Sequence, residues 1–157
     1  MRKRSIMDRR FIRFIPVLLG LICLILFSSP AVAGRVMTDV KVIHASTGSS
    51  HVDDALKNII PELESVFRYT GYRLINEQRM MLNFNQKGRI TLPGNRTMIV
   101  IPSAMNGGRI NYQIIILKNN RPVFQTRVLL RNNSSITIGG PQFNNGYLLF
   151  NISGSVH

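Results

Sequence analysis

The sequence predicts an α+β fold: mainly antiparallel β-sheet or β-sandwich, with one amphipathic helix between the first and second strands. Three observations lead there. Apolar residues alternate with polar ones through most of the chain after residue 71, the period of a half-buried strand. Glycine, asparagine and proline punctuate that alternation at short intervals. A single stretch, carrying Leu56, Ile59, Ile60, Leu63, Val66 and Phe67, instead repeats at three-and-four spacing and gives one apolar helical stripe.

The elements follow in order. Residues 36–44 alternate, with Val36, Thr38, Val40 and Val42 on one face of a first strand. The small polar run 45–50 reads as a loop. Ser50 or Asp53 can cap the helix that follows, and Asp53 and Asp54 suit the positive end of its dipole. Pro61 inside the stripe predicts a kink or break after Ile60, and Gly71 a stop. The strands expected beyond are 72–78, 80–85, 88–92, 96–101, 109–118, 123–131, 135–138 and 146–153. Turns are expected at Pro93-Gly94-Asn95, Asn106-Gly107-Gly108, Asn119-Asn120, Asn132-Asn133 and Gly139-Gly140-Pro141. Segments 109–118 and 123–131 form the clearest hairpin. Ile110, Tyr112, Ile114 and Ile116 share one face of the first, and Phe124, Thr126, Val128 and Leu130 one face of the second.

The amino-terminal segment has different chemistry. Arg2, Lys3, Arg4, Arg9, Arg10 and Arg13 precede an apolar run from Phe14 to Phe27, and Ala31-Val32-Ala33 closes it with a small-x-small triplet. That order is the grammar of a cleaved export signal, so the expected organisation is a signal peptide over 1–33 and one β-rich domain over 34–157. The apolar run has 14 residues, too few to cross a bilayer core of about 30 Å as a helix rising about 1.5 Å per residue. No stable membrane span is therefore expected after cleavage. The expected compartment is the periplasm or, beyond it, the medium.

The chain carries a formal net charge of +13. Residues 34–157 retain 14 basic and 6 acidic residues and no cysteine, since Cys23 lies in the leader. Thiol chemistry and disulfides are thereby excluded from that domain, which must be held by burial. The basic residues are spread singly, never as a run, which argues against nucleic acid. An envelope protein or an acidic polymer is the better-matched partner for such a charge.

Chemistry-bearing clusters are few. His44, His51, Asp53 and Asp54 form the densest set of possible ligands, and an extracytoplasmic hydrolase or metal-dependent enzyme would have to use them. No serine sits in a strand-turn-helix glycine frame. No cofactor is implied. Arg68, Tyr69, Tyr72, Arg73 and Arg96 are the candidate binding residues, because tyrosine and arginine anchor interfaces. The competing reading places Tyr72 and Leu74 in the core and leaves Arg68 and Arg73 solvated.

The segments Phe67-Arg68-Tyr69-Thr70-Gly71-Tyr72-Arg73-Leu74, Leu92-Pro93-Gly94-Asn95-Arg96 and the closing Ile138-Gly139-Gly140-Pro141 with Gly146-Tyr147-Leu148-Leu149-Phe150 resemble a group of small exported bacterial proteins of uncharacterised function. The resemblance implies an exported β-rich domain and no particular activity. Taken together, the expectation is a non-catalytic binding or adaptor module of the bacterial periplasm or cell envelope, a role that includes serving as a subunit of an envelope assembly.

Overall fold

The computed structural model describes residues 34–157; the expected export signal over 1–33 lies outside the described residues. Eight strands form two four-stranded antiparallel sheets. In chain order they are β1 (Arg35–Ser46), β2 (Gly71–Asn83), β3 (Gly88–Leu92), β4 (Arg96–Asn106), β5 (Arg109–Lys118), β6 (Arg121–Arg131), β7 (Ser134–Phe143) and β8 (Gly146–Val156). One sheet has the order β2-β1-β8-β7 and the other β3-β4-β5-β6. The first and last strands are therefore the two central strands of the first sheet, paired from Val36 opposite Val156 to Ser46 opposite Gly146.

The sheets face each other across one shared core, a sandwich-like arrangement. Val36, Val40, Val42, Phe150 and Ile152 meet Met98, Val100, Ile110, Ile114 and Ile116 in a single cluster. These are the inward positions of the period-two alternation, so a one-residue slip in any strand would turn its apolar set toward water. Thr38 and Tyr112 are the polar members of the two facing surfaces. Both are fully buried, and their hydroxyls bond each other across the sandwich at 2.9 Å.

The turns are built as the residue types suggest. Asn119 and Asn120 both have positive φ, as do Gly107 and Gly108, the backbone of the two-residue turns whose twist suits a hairpin. Asparagine tolerates this region because its short side chain can bond locally.

Three expectations are corrected. Residues 72–78 and 80–85 are not separate strands; β2 runs unbroken to Asn83. Gly139-Gly140-Pro141 is not a turn, because β7 continues through it to Phe143 with an irregular register between Gly139 and Gln142. The helical stripe is only partly helix: a single 3-10 turn over Asp54–Leu56 precedes α1 (Ile60–Val66), and Pro61 stands in the first turn of α1. Proline is tolerated there because the first amides of a helix have no partner to lose. Gly71 opens β2, and α1 has already ended at Val66. The stripe is buried in part, with Val66 left in solvent. Leu56 and Leu63 form a second small cluster with Ile43, Ala45, Tyr72 and Leu149.

Candidate functional site

His44, His51, Asp53 and Asp54 are held in structural contacts. The backbone N–H of Leu74 donates to Asp53 Oδ2 at 2.7 Å, and His51 Nε2 lies 2.8 Å from Asp53 Oδ1. The Leu74 amide first, and His51 second, hold the Asp53 carboxyl below its usual range. Its side chain caps nothing in the turn it precedes; it ties that turn to β2 instead. Asp54 pairs with Lys57 at 2.8 Å in solvent. His44 Nε2–H donates to the Phe143 carbonyl at 3.2 Å, with the Phe143 ring edge-on at 5.7 Å. His44 and His51 do line one depression, but it holds only about 40 Å³. Among the described residues no group of three or more His, Cys, Asp or Glu is placed to hold a metal.

The five candidate binding residues do not share one surface. Tyr72 is fully buried, with its hydroxyl donating to the Phe67 carbonyl at 3.1 Å. The half-buried Tyr69 ring packs edge-on to Tyr72 at 6.5 Å and tilted against Tyr147 at 6.1 Å. Arg68 and Arg73 are exposed. Arg96 begins β4, in the other sheet.

The most open element is β6. It ends its sheet, bonded only to β5, and its first five residues are all exposed. Val123, Phe124 and Leu129 keep 56%, 40% and 58% of their surface in water, more exposed large apolar side chains than any other strand carries among the described residues. Where the start of β6 parts from the Gly139–Pro141 stretch of β7, a groove of about 310 Å³ opens, walled by Ile116, Val123, Phe124 and Pro141.

Charge is segregated as well. All six carboxylates of the described residues lie between Asp39 and Glu77; none occurs from residue 78 to 157. The ion pairs follow that division: Lys41–Glu77, His51–Asp53, Lys57–Asp54 and Arg79–Asp39. The seven cations of the β3-β4-β5-β6 sheet have no acidic partner among the described residues. Some are even set opposite one another. Arg96 stands across from Lys118, Lys118 across from Arg121, and Arg109 across from Arg131. Like charges directly opposite on neighbouring strands destabilise a sheet.

Sequence reasoning missed that row of cations. Half of it was within reach, since a two-residue turn at Asn119-Asn120 puts Lys118 opposite Arg121. The other half depends on the β4–β5 register, which shifts at an irregularity between Pro102 and Ala104.

Among the described residues no helix is long and apolar enough to cross a membrane. Comparison with known proteins gave no matching family model, no matching curated protein and no matching solved structure.

Proposed function

We propose that the chain is a non-catalytic binding or adaptor module, exported by its leader to the periplasm or cell envelope, which engages a protein partner along the free edge of β6. The β-sandwich supplies the rigid frame, and residues 1–33 are removed as the signal. One observation supports the docking mode above the rest: β6, a strand of 11 residues, has one edge without a neighbouring strand, with Val123, Phe124 and Leu129 standing in water. An edge strand presents a row of free backbone N–H and C=O groups, and a partner strand can add to it by main-chain bonds. Its apolar side chains would then be covered by those of the added strand.

The same edge carries Pro122, Arg127 and Arg131, devices that repel a second identical edge. They favour a partner of different sequence over self-association. Photo-crosslinking side chains placed singly along β6 in living cells test this. Strand addition gives one partner adduct, recurring at every second position, while the same scan along β3 gives none. If no β6 position yields an adduct, the docking mode is wrong. The mass of the native product tests the export reading, which expects an amino terminus at Gly34.

A further inference from the structure

We infer a ligand site at the mouth of the sandwich between β6 and β7, built for a small amphiphilic anion: one apolar chain bearing a carboxylate or phosphate head. It shares Val123 and Phe124 with the proposed docking strand but engages side chains and not the free backbone edge of β6.

The groove supplies the apolar half. Ile116, Val123, Phe124 and Pro141 wall it, and the Gly139-Gly140 pair leaves the β7 side open beside Pro141. A volume of about 310 Å³ is at the small end of ligand sites and suits one short chain. Gly140 is required for a different reason. A Cβ there would lie 2.4 Å from Phe150 Cε2 and 2.8 Å from the Leu148 carbonyl oxygen, so β7 can follow this path only with glycine.

The row of cations supplies the polar half. Arg96 and Lys118 line the groove, and register continues the row to Arg121. By strand alternation Arg96 and Lys118 fall on the inward face, in sequence with buried Met98 and Ile116, but at the end where that face meets solvent. None of the three has a carboxylate partner among the described residues. Arg96 Nη1 has only a long contact, 3.5 Å, to the Pro93 carbonyl. Cationic side chains whose Cβ atoms stand about 5 Å apart on neighbouring strands repel one another in the free protein, and an anion seated among them offsets that repulsion. The site also absorbs two sequence features that the docking edge leaves unexplained. The Leu92-Pro93-Gly94-Asn95-Arg96 turn delivers the arginine, and Gly139-Gly140-Pro141 delivers the opposite wall.

The test uses the purified chain with decanoate, decyl phosphate, decanol and decyltrimethylammonium, each below its micellar concentration. Calorimetry measures affinity, and methyl NMR of Ile116 and Val123 locates the ligand. Both anions are expected to saturate a single site and shift those methyls, leaving Ile99 and Ile101 on the outer sheet face unmoved. A preference between decanoate and decyl phosphate tells a carboxylate source from a phosphate source. Lys118→Glu and, separately, Arg96→Gln are expected to weaken anion binding about tenfold or more while leaving the Tm equal or higher, because each breaks up the like-charge row. Equal binding of decanol or of the cationic amphiphile overturns the proposal, as do unsaturable shifts spread over the outer face. Because these readouts do not involve the β6 backbone, the site can fail while strand addition stands, and the reverse.

Discussion

The hydroxyl pair at the centre of the core offers the sharpest test of how the two sheets are joined. Thr38 on β1 and Tyr112 on β5 are both wholly buried, 2.9 Å apart, and lie in opposite sheets. Thr38→Val and Tyr112→Phe each keep the side-chain volume and remove one hydroxyl. Either single change strands the remaining hydroxyl in an apolar interior, at a cost of about 1–3 kcal/mol. The double variant removes both polar groups, so the second substitution costs far less than the first. Singles of about 1.5–2 kcal/mol and a double of similar size give a coupling of about 2 kcal/mol. The geometry around the pair sharpens the expectation. Gly154, opposite Thr38 in the register, has no room for a Cβ, which would stand 2.5 Å from Tyr112 Oη. Tyr112 is thus held in a slot with little freedom to find another partner. Urea unfolding of the four proteins with equal m-values measures the cycle. Additive singles, agreeing with the double to about 0.5 kcal/mol, would refute the bond as the link between sheets.

Three further outcomes follow from particular residues. Burial raises the Tyr112 hydroxyl above its usual 10.0, so the unfolded chain releases that proton first; its stabilising contribution is full below pH 10.0 and is lost as pH rises through the higher folded value, a decline that Tyr112→Phe reduces in pH-dependent unfolding. Asp53 behaves oppositely. Its lowered carboxyl contributes fully above 3.8 and loses that contribution as pH falls through the still lower folded value, so Asp53→Asn costs about 1 kcal/mol at neutral pH and flattens the acid limb of a stability profile. Gly146→Ala places a methyl 2.1 Å from the Ala45 carbonyl oxygen, backbone that must move; a loss of about 3 kcal/mol or failure to fold is expected from denaturation, and a neutral result would contradict the close approach of β1 and β8.

The inward faces were the most legible part of the fold. Val36, Thr38, Val40 and Val42 are all fully buried, as are Ile110, Tyr112, Ile114 and Ile116, because alternation records the sandwich directly. Phe124 breaks that rule at 40% exposure: the first five residues of β6 are all exposed and the β5–β6 register shifts beside it, between Ile116 and Leu117, which no local pattern signals. Gly139-Gly140-Pro141 misled for a related reason. Its local composition is that of a turn, but the requirement for glycine comes from Phe150 on a neighbouring strand. The stripe from Leu56 to Phe67 overstated helix length and was right for only part of its burial: Leu56 and Leu63 are buried and Ile59, Ile60 and Phe67 pack against them, but Val66, at the end of the short α1, is 67% exposed. Of the candidate site residues, Tyr72 suited an interface or, as the competing reading had it, the core; its neighbours in space put it in the core.

The placement of β1 and β8 side by side at the middle of their sheet governs when the molecule can fold. Every pairing of β1 with β8 closes a loop of roughly the whole described chain, so the central ladder is the most non-local contact the molecule makes. Until the final strand is released from the ribosome, β1 and β7 lack their shared neighbour and the core has no Phe150 or Ile152 to close it. High contact order of this kind slows folding. A chain arrested before its last strand would present open sheet edges, and its whole length would still be available to be threaded through a narrow channel.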